Sequence, residues 1–361
     1  MTETPAEAEM PPPAAGATTL RLLRWFDATK RDLPWRRTRD AYRIWVSEVM
    51  LQQTRVTTVL PYYRRFLRRF PDVEALAKAE IDEVLALWSG LGYYRRARQL
   101  HAAARVVVES GGELPDSAAA LARLPGIGPY TAAAVASIAF GECEPVLDGN
   151  VVRLMARYRA EEGDPRLSAT RRRLLEAARE LLHPNRPGDS NQALMELGAT
   201  VCRPRRPLCG ECPLQPGCAA VATGAQEAYP RRGRPRETER EKRIAALVLH
   251  GDGRVLLFKR PEDSELLAGT WELPSVPWAA DRGSEAALSK AYGGRWRLRE
   301  SRGWVRHGIT FRRLEVELRE AERLGDEAVA EGPEAAWVEP EGLGDLPVSA
   351  LVVKLLEQRA V

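Results

Sequence analysis

The chain has 361 residues, 44% of them hydrophobic, and its 54 basic and 50 acidic side chains leave a formal net charge of +4. That length favours two domains with a core in each. No apolar run reaches the roughly 18–20 residues of a membrane span, which excludes a transmembrane helix. The charge balance is too mild to identify a nucleic-acid partner, because phosphate binding depends on where Lys and Arg sit.

Residues 1–19 contain acidic side chains and a Pro-Pro-Pro run, but no basic segment followed by an apolar one. They read as a disordered tail and not as a signal peptide, so the protein is expected to be cytoplasmic. From 20 to 225 the apolar residues recur at helical spacing. Helices are expected at 20–26, 42–60, 62–69, 81–89, 97–109, 131–140, 150–158, 170–182 and 191–199, with Pro61 ending the second. Residues 226–241 are polar and charged, show no apolar face, and read as a linker. From 242 to 361 the pattern changes. Strands are expected at 244–250 and 254–260, joined as a hairpin by Gly251-Asp252-Gly253, and at 271–274, 304–318 and 336–338. Helices at 284–291 and 348–358 complete a smaller α+β domain.

Four of the five cysteines, Cys202, Cys209, Cys212 and Cys218, are separated by six, two and five residues. An unexported protein keeps thiols reduced, so the cluster reads as a ligand set and not as disulfides. Its irregular spacing leaves zinc and an iron–sulfur cube both open. Cys143 stands apart and reads as a packed or inert thiol and not as a ligand. Residues 124–131, Leu-Pro-Gly-Ile-Gly-Pro-Tyr-Thr, turn tightly at Gly126 and Gly128 before a helix whose first turn takes Pro129. Amides at such a helix start bind phosphate without a cationic side chain. The segment resembles the hairpin of a helix-hairpin-helix DNA-binding element.

Two carboxylates stand out. At helical spacing Glu48 neighbours Ile44, Trp45, Leu51 and Gln52, three of them large and apolar. A carboxyl on that stripe loses hydration, so its pKa rises and it can hold and donate a proton near neutrality. A structural ion pair with Arg43 or Arg55 is the competing reading. Asp148 precedes a helix and reads as its N-cap, a contact that would hold it ionised. An ionised Asp facing a sugar cation, beside a protonated Glu, is the arrangement needed to break a glycosidic bond.

Several blocks occur in an order that matches one family. They are Leu-Pro-Trp-Arg at 33–36, Trp-Val-Ser-Glu-Val-Met-Leu-Gln-Gln-Thr at 45–54, Trp-Ser-Gly-Leu-Gly-Tyr-Tyr at 88–94, the turn at 124–131, Leu-Asp-Gly-Asn-Val-Val-Arg at 147–153, Asn-Gln-Ala-Leu-Met-Glu-Leu-Gly at 191–198, and the four cysteines. Over 20–225 the chain resembles the MutY-type adenine DNA glycosylases of the endonuclease III-like helix-hairpin-helix superfamily. The resemblance implies a mainly α-helical glycosylase domain with a 4Fe–4S loop at 202–218. It implies a monomer that excises adenine opposite 8-oxoguanine, or guanine, from double-stranded DNA in base excision repair. By the same resemblance Glu48 is the catalytic acid, Asp148 the carboxylate that stabilises the oxocarbenium-like sugar, and Asn150 their support. Tyr130 falls where related lyases carry a Lys nucleophile; a phenol forms no Schiff base, so a monofunctional enzyme is expected. Gln53 and Tyr93 fall at residues that wedge into the duplex, and Trp35 and Arg36 at residues lining the adenine pocket.

Residues 242–361 resemble the family's Nudix-like lesion-recognition domain, through Leu-Leu-Ala-Gly-Thr-Trp-Glu-Leu-Pro at 266–274. The helix at 284–291 lacks the hydrolase signature's carboxylates, so nucleotide hydrolysis is not expected. Where the family often has Phe-Ser-His in the loop facing 8-oxoguanine, this chain has Ile309-Thr310-Phe311, which leaves Thr310 and the preceding His307 as the candidate contacts. Two alternatives compete: a bifunctional pyrimidine glycosylase/lyase, and a non-catalytic DNA-binding module.

Overall fold

The computed structural model describes residues 16–361 apart from 232, 234–237, 262, 265–266, 310, 325–333 and 359–361. The expected tail lies outside the described residues as far as 15, and helix α1 (Ala17–Thr29) begins within its last few positions. The helices that follow are α2 (Ala41–Leu51), α3 (Val56–Arg69), α4 (Val73–Ala77), α5 (Ile81–Trp88), α6 (Arg95–Glu109), α7 (Ala118–Leu121), α8 (Pro129–Val135), α9 (Gly149–Tyr158), α10 (Ser168–Arg179), α11 (Pro187–Thr200) and α12 (Ala219–Ala222). The helix expected over 42–60 is in fact two. Gln53, at φ +57°, reverses the backbone and ends α2, while Pro61 lies inside α3. A proline early in a helix removes one intrahelical bond, whereas a left-handed residue cannot be part of the helix at all.

Contacts divide the chain into two compact units, Met1–Val49 with Glu113–Arg234, and Met50–Gly112 with Pro235–Val361. The first unit is helical. Its core holds Leu22 and Phe26 of α1, Trp45 of α2, Leu154 and Met155 of α9, and Leu194 and Leu197 of α11. α9 and α11 meet at Gly198, where an added Cβ would lie 2.7 Å from Asn150 Cβ and 2.9 Å from its carbonyl oxygen.

The second unit joins α3–α6 to the β-rich domain. Tyr94 donates its hydroxyl to the Val348 carbonyl, Arg98 reaches the Ala268 carbonyl at 3.2 Å, and Lys259 pairs with Asp82 at 3.0 Å. The strands are β1 (Glu239–Leu247), β2 (Val255–Lys259), β3 (Trp271–Glu272), β4 (Ser275–Pro277), β5 (Arg295–Ile309), β6 (Arg312–Leu324) and β7 (Ala335–Val338). They form sheets of order β4-β1-β6-β5 and β3-β2-β7. Helix α13 (Asp281–Tyr292) covers a core of Ile244, Phe258, Val276 and Trp296 through Leu288 and Tyr292. Helix α14 (Ala350–Glu357) covers Leu247, Leu257, Leu314 and Val316 through Val352 and Leu355.

Two strand expectations need correction. The hairpin expected over 244–260 pairs only at its turn, through Leu249 and Val255; β1 then runs parallel to β6 in one sheet and β2 joins the other. Residues 244–247 and 255–258 are buried throughout, as suits strands covered on both faces. The single strand expected over 304–318 is two antiparallel strands, β5 and β6, whose last paired residues are Ile309 and Arg312. Among the described residues no helix is long and apolar enough to cross a membrane.

Candidate active site

Glu48 lies on the inward face of α2, 5% exposed, beside fully buried Trp45 and Ile44. Arg43, one of the two ion-pair partners that the sequence offers, instead pairs with Asp40 at 3.3 Å. Tyr130, at the start of α8, donates its hydroxyl to Glu48 Oε2 at 2.7 Å, with Met195 Sδ 3.2 Å from the same hydroxyl. Burial pushes the Glu48 carboxyl up to about 7, the Asp148 charge adds to the rise, and the Tyr130 hydroxyl and Arg36 oppose it. At that value the group is about half protonated at neutral pH, the poise of a general acid or base. The Tyr130 phenol is driven well above its usual range by burial and by the charges of Glu48 and Asp148, so it remains a donor.

Asp148 caps α9, as expected. Its Oδ1 accepts the amides of Asn150 at 2.9 Å and Val151 at 2.7 Å, and its Oδ2 accepts Asn150 Nδ2 at 3.0 Å. These bonds favour the ionised form and lower the pKa. Burial outweighs them, and the carboxyl lies above its ordinary value. Asn150 Oδ1 in turn accepts Arg153 Nη2 at 2.9 Å; the same guanidinium donates to the carbonyls of Gly198 at 2.7 Å and Cys202 at 2.8 Å. Arg153 thus ties the Asp148–Asn150 pair to the start of the cysteine loop.

Trp35 and Arg36 lie in a short 3-10 turn, Pro34–Arg36, that buries the indole. Arg36 Nη2 donates to Glu196 Oε2 at 2.8 Å, and Arg31 forks onto both Glu196 oxygens at 2.7 Å each. The Glu196 side chain is 2% exposed. Burial raises its pKa, but the two guanidinium partners more than reverse this and hold it at about 2. Sequence reasoning assigned no role to Glu196 or Arg153. The available signal for Arg153 was weak, since Asn150 and Arg157 share its helix face, and Glu196 likewise shares its face with Gln192 and Thr200.

The turn at 124–131 has Gly126 at φ +72°, and Gly128 as the extended residue before Pro129 opens α8. Gln53 and Tyr93 belong to the other unit, as does His307. Both Gln53 and Tyr93 are exposed, and both hold left-handed backbone, at φ +57° and +53°. His307 lies half-buried on β5, and burial with nearby Lys354 lowers its pKa. Thr310 lies outside the described residues. On α13, Glu285 accepts the Leu298 amide at 2.8 Å and Asp281 pairs with Arg319 at 2.6 Å.

Cys202, Cys209, Cys212 and Cys218 all line one cavity, together with Leu154, Arg157 and Leu214. Arg157 anchors the loop through the carbonyls of Arg203 at 2.7 Å and Pro204 at 3.0 Å, with Cys202 Sγ at 3.3 Å. Burial raises the thiols of Cys209, Cys218 and Cys212, the last to about 11, and the Cys202 thiol raises each further. Among the described residues no three His, Cys, Asp or Glu stand close enough to hold a single metal ion. Cys143 is exposed, which removes the packed alternative of the two readings given for it.

The profile of HhH-GPD superfamily base excision DNA repair proteins matches residues 46–180, and a NUDIX domain profile matches 244–358. An adenine DNA glycosylase of Homo sapiens is 44% identical over 311 residues, covering 71% of this chain and 57% of that protein. One of Arabidopsis thaliana is 42% identical over 296 residues, covering 71% and 46%. The chain therefore spans about half the length of these curated relatives. A solved thermostable thymine-DNA glycosylase is 33% identical with a TM-score of 0.52, covering 57% of this chain and 95% of that one. With a helical HhH-GPD region followed by a β-rich Nudix-like domain, the chain belongs to the MutY-type adenine DNA glycosylase family of the helix-hairpin-helix base excision repair superfamily.

Proposed function

We propose that this protein is a monofunctional glycosylase that hydrolyses the N-glycosidic bond of adenine opposite 8-oxoguanine or guanine in duplex DNA. The observation that carries the reading is the pairing of Glu48, buried and poised at about 7, with Tyr130 and the capped Asp148 in one unit of the fold. Adenine leaves poorly as an anion. Protonation of a ring nitrogen by Glu48 lets it depart neutral, and the positive charge left on the sugar is offset by Asp148. The deprotonated Glu48 then accepts a proton from the attacking water. Tyr130 orients the Glu48 carboxyl and offers no amine for a Schiff base.

The target base must leave the stack, with Gln53 and Tyr93 as the wedge side chains and Trp35 and Arg36 lining the adenine pocket. The turn at Gly126 and Gly128 serves as a phosphate grip. In this reading 20–225 is the excision domain, and 242–361 recognises the opposite base through His307 and Thr310. A single chain acts as a monomer.

The cysteine loop fits a 4Fe–4S cluster held by Cys202, Cys209, Cys212 and Cys218, since all four thiols face one cavity. Each of the four would supply one thiolate to such a cluster, the donor type that iron–sulfur clusters take. Such a cluster would cross-link the loop, whose exposed Arg203, Arg205 and Arg206 would meet phosphate.

The test is a single-turnover assay on duplexes with one adenine opposite 8-oxoguanine or guanine. The expected product is an abasic site whose strand breaks only after alkali. A stoichiometric borohydride-trapped adduct would instead establish a lyase. Iron and sulfide analysis of the purified protein checks the cluster; four-thiolate zinc without iron overturns it.

A further inference from the structure

The loops that carry Gln53 and Tyr93 share one support. Arg96, at the start of α6, is buried. Its Nη1 donates to the Met50 carbonyl at 3.0 Å and the Gln52 carbonyl at 2.7 Å. Its Nη2 donates to the Gly92 carbonyl at 3.0 Å, and to the Leu91 carbonyl and Thr54 Oγ1 at 3.3 Å each. The guanidinium also lies 5.4 Å from the ring centroids of both Trp88 and Tyr93. One planar group therefore binds the backbone immediately before Gln53 and immediately before Tyr93, and the Thr54 hydroxyl just after Gln53.

Those two positions are where support matters. A left-handed backbone at a residue other than Gly costs free energy and persists only where its surroundings over-determine it. Tyr93 is 43% exposed and Gln53 is also exposed, so neither side chain is fixed by a core of its own. Burial lowers the Arg96 pKa only to about 10, so the donor fork is intact at neutral pH. A lysine has the charge but not the planar fork that reaches two loops at once.

We propose that Arg96 is a positioning residue that locks the Gln53 and Tyr93 loops to each other, so that both side chains enter the duplex as a preset pair when adenine is extruded. The inference rests on the glycosylase reading above. It separates Arg96 from an ordinary cap on the last carbonyls of α2, because a cap would bear on stability and not on unstacking.

The test compares the full-length parent with Arg96→Lys and Arg96→Met on an adenine:8-oxoguanine duplex carrying 2-aminopurine beside the adenine. Fluorescence at saturating protein reads unstacking, and single-turnover excision is measured on this duplex and on one whose flanking pairs are mismatched. Both variants are expected to lose most of the fluorescence rise and to excise at least about tenfold more slowly on the matched duplex, but less than about threefold more slowly on the loosened one. Parent-like fluorescence, or equal slowing on both duplexes, overturns the inference. If both variants fail to fold, Thr54→Val removes one acceptor while keeping the guanidinium, and must show the same preference for the loosened duplex in milder form. A parent inert on both duplexes overturns the glycosylase reading itself, and this inference with it; an active parent with parent-like variants overturns this inference alone.

Discussion

The Tyr130 hydroxyl donates to Glu48 Oε2 across 2.7 Å, joining side chains 82 positions apart. The contact draws the carboxyl down while burial drives it up, and burial is the larger effect. Replacing the hydroxyl by Tyr130→Phe should raise the Glu48 pKa further. The alkaline limb of the pH–rate profile should then move to higher pH, and about 1–2 kcal/mol of stability should be lost with the buried hydrogen bond. A limb that moves toward acid would refute this role for Tyr130.

Glu48→Gln should bind lesion DNA within about threefold of the parent while single-turnover excision falls by roughly 10²–10⁴, the usual worth of a positioned acid. Gel-shift titration and quenched-flow excision read the two effects separately. Excision near the parental rate would remove Glu48 from the mechanism.

Glu48 should also leave a signature in stability. Its folded pKa of about 7 lies above the reference value of 4.5, so the folded state holds the proton more tightly. The stability from this group is fully present below pH 4.5 and is lost as pH rises through 7. Glu48→Gln does not titrate. Its advantage over the parent should therefore grow across that window by up to roughly 3 kcal/mol, as denaturant melts at several pH values will show. An advantage independent of pH would contradict the burial.

Glu196→Gln leaves the guanidinium groups of Arg31 and Arg36 without their carboxylate. The expected loss is roughly 2–3 kcal/mol, because Arg36 is left buried without its charge partner, while the more exposed Arg31 regains water. Excision should fall with it, since Arg36 loses the contact that aims it. In the parent the depressed Glu196 carboxyl contributes stability above about pH 4.5, and that contribution should be lost only as pH falls toward 2. Thermal melts and an acid titration check both parts.

Gly198→Ala puts a methyl 2.7 Å from Asn150 Cβ. Overpacking of this kind costs about 1–3 kcal/mol. Because Asn150 bonds Asp148, excision should fall by more than the melting temperature alone predicts. An active variant of parental stability would show that α9 and α11 can separate freely.

Much of this site could be read in the sequence because its determinants are local. The apolar neighbours of Glu48 lie within one helical turn, the Asp148 cap is built from the next three residues, and Gly126 and Pro129 take the backbone positions their chemistry favours. Long-range partners could not be read. Glu196 meets Arg36 across 160 positions, and nothing in a helix-period pattern pairs them. Pro61 misled for a related reason, since the break before it was set by the left-handed Gln53, a residue with no breaker signature. The 304–318 run concealed a turn because β5 and β6 both alternate, and the switch between them falls at Ile309–Arg312 without a Gly or Pro.

Arg153 grips the Cys202 carbonyl with one nitrogen and Asn150 with another, leaving Asp148 three hydrogen bonds from the sulfur-bearing loop. A change in the loop that displaces the Cys202 carbonyl is therefore expected to loosen the Asn150–Asp148 contact before α9 unfolds, an effect that amide exchange at Asn150 and Val151 would read.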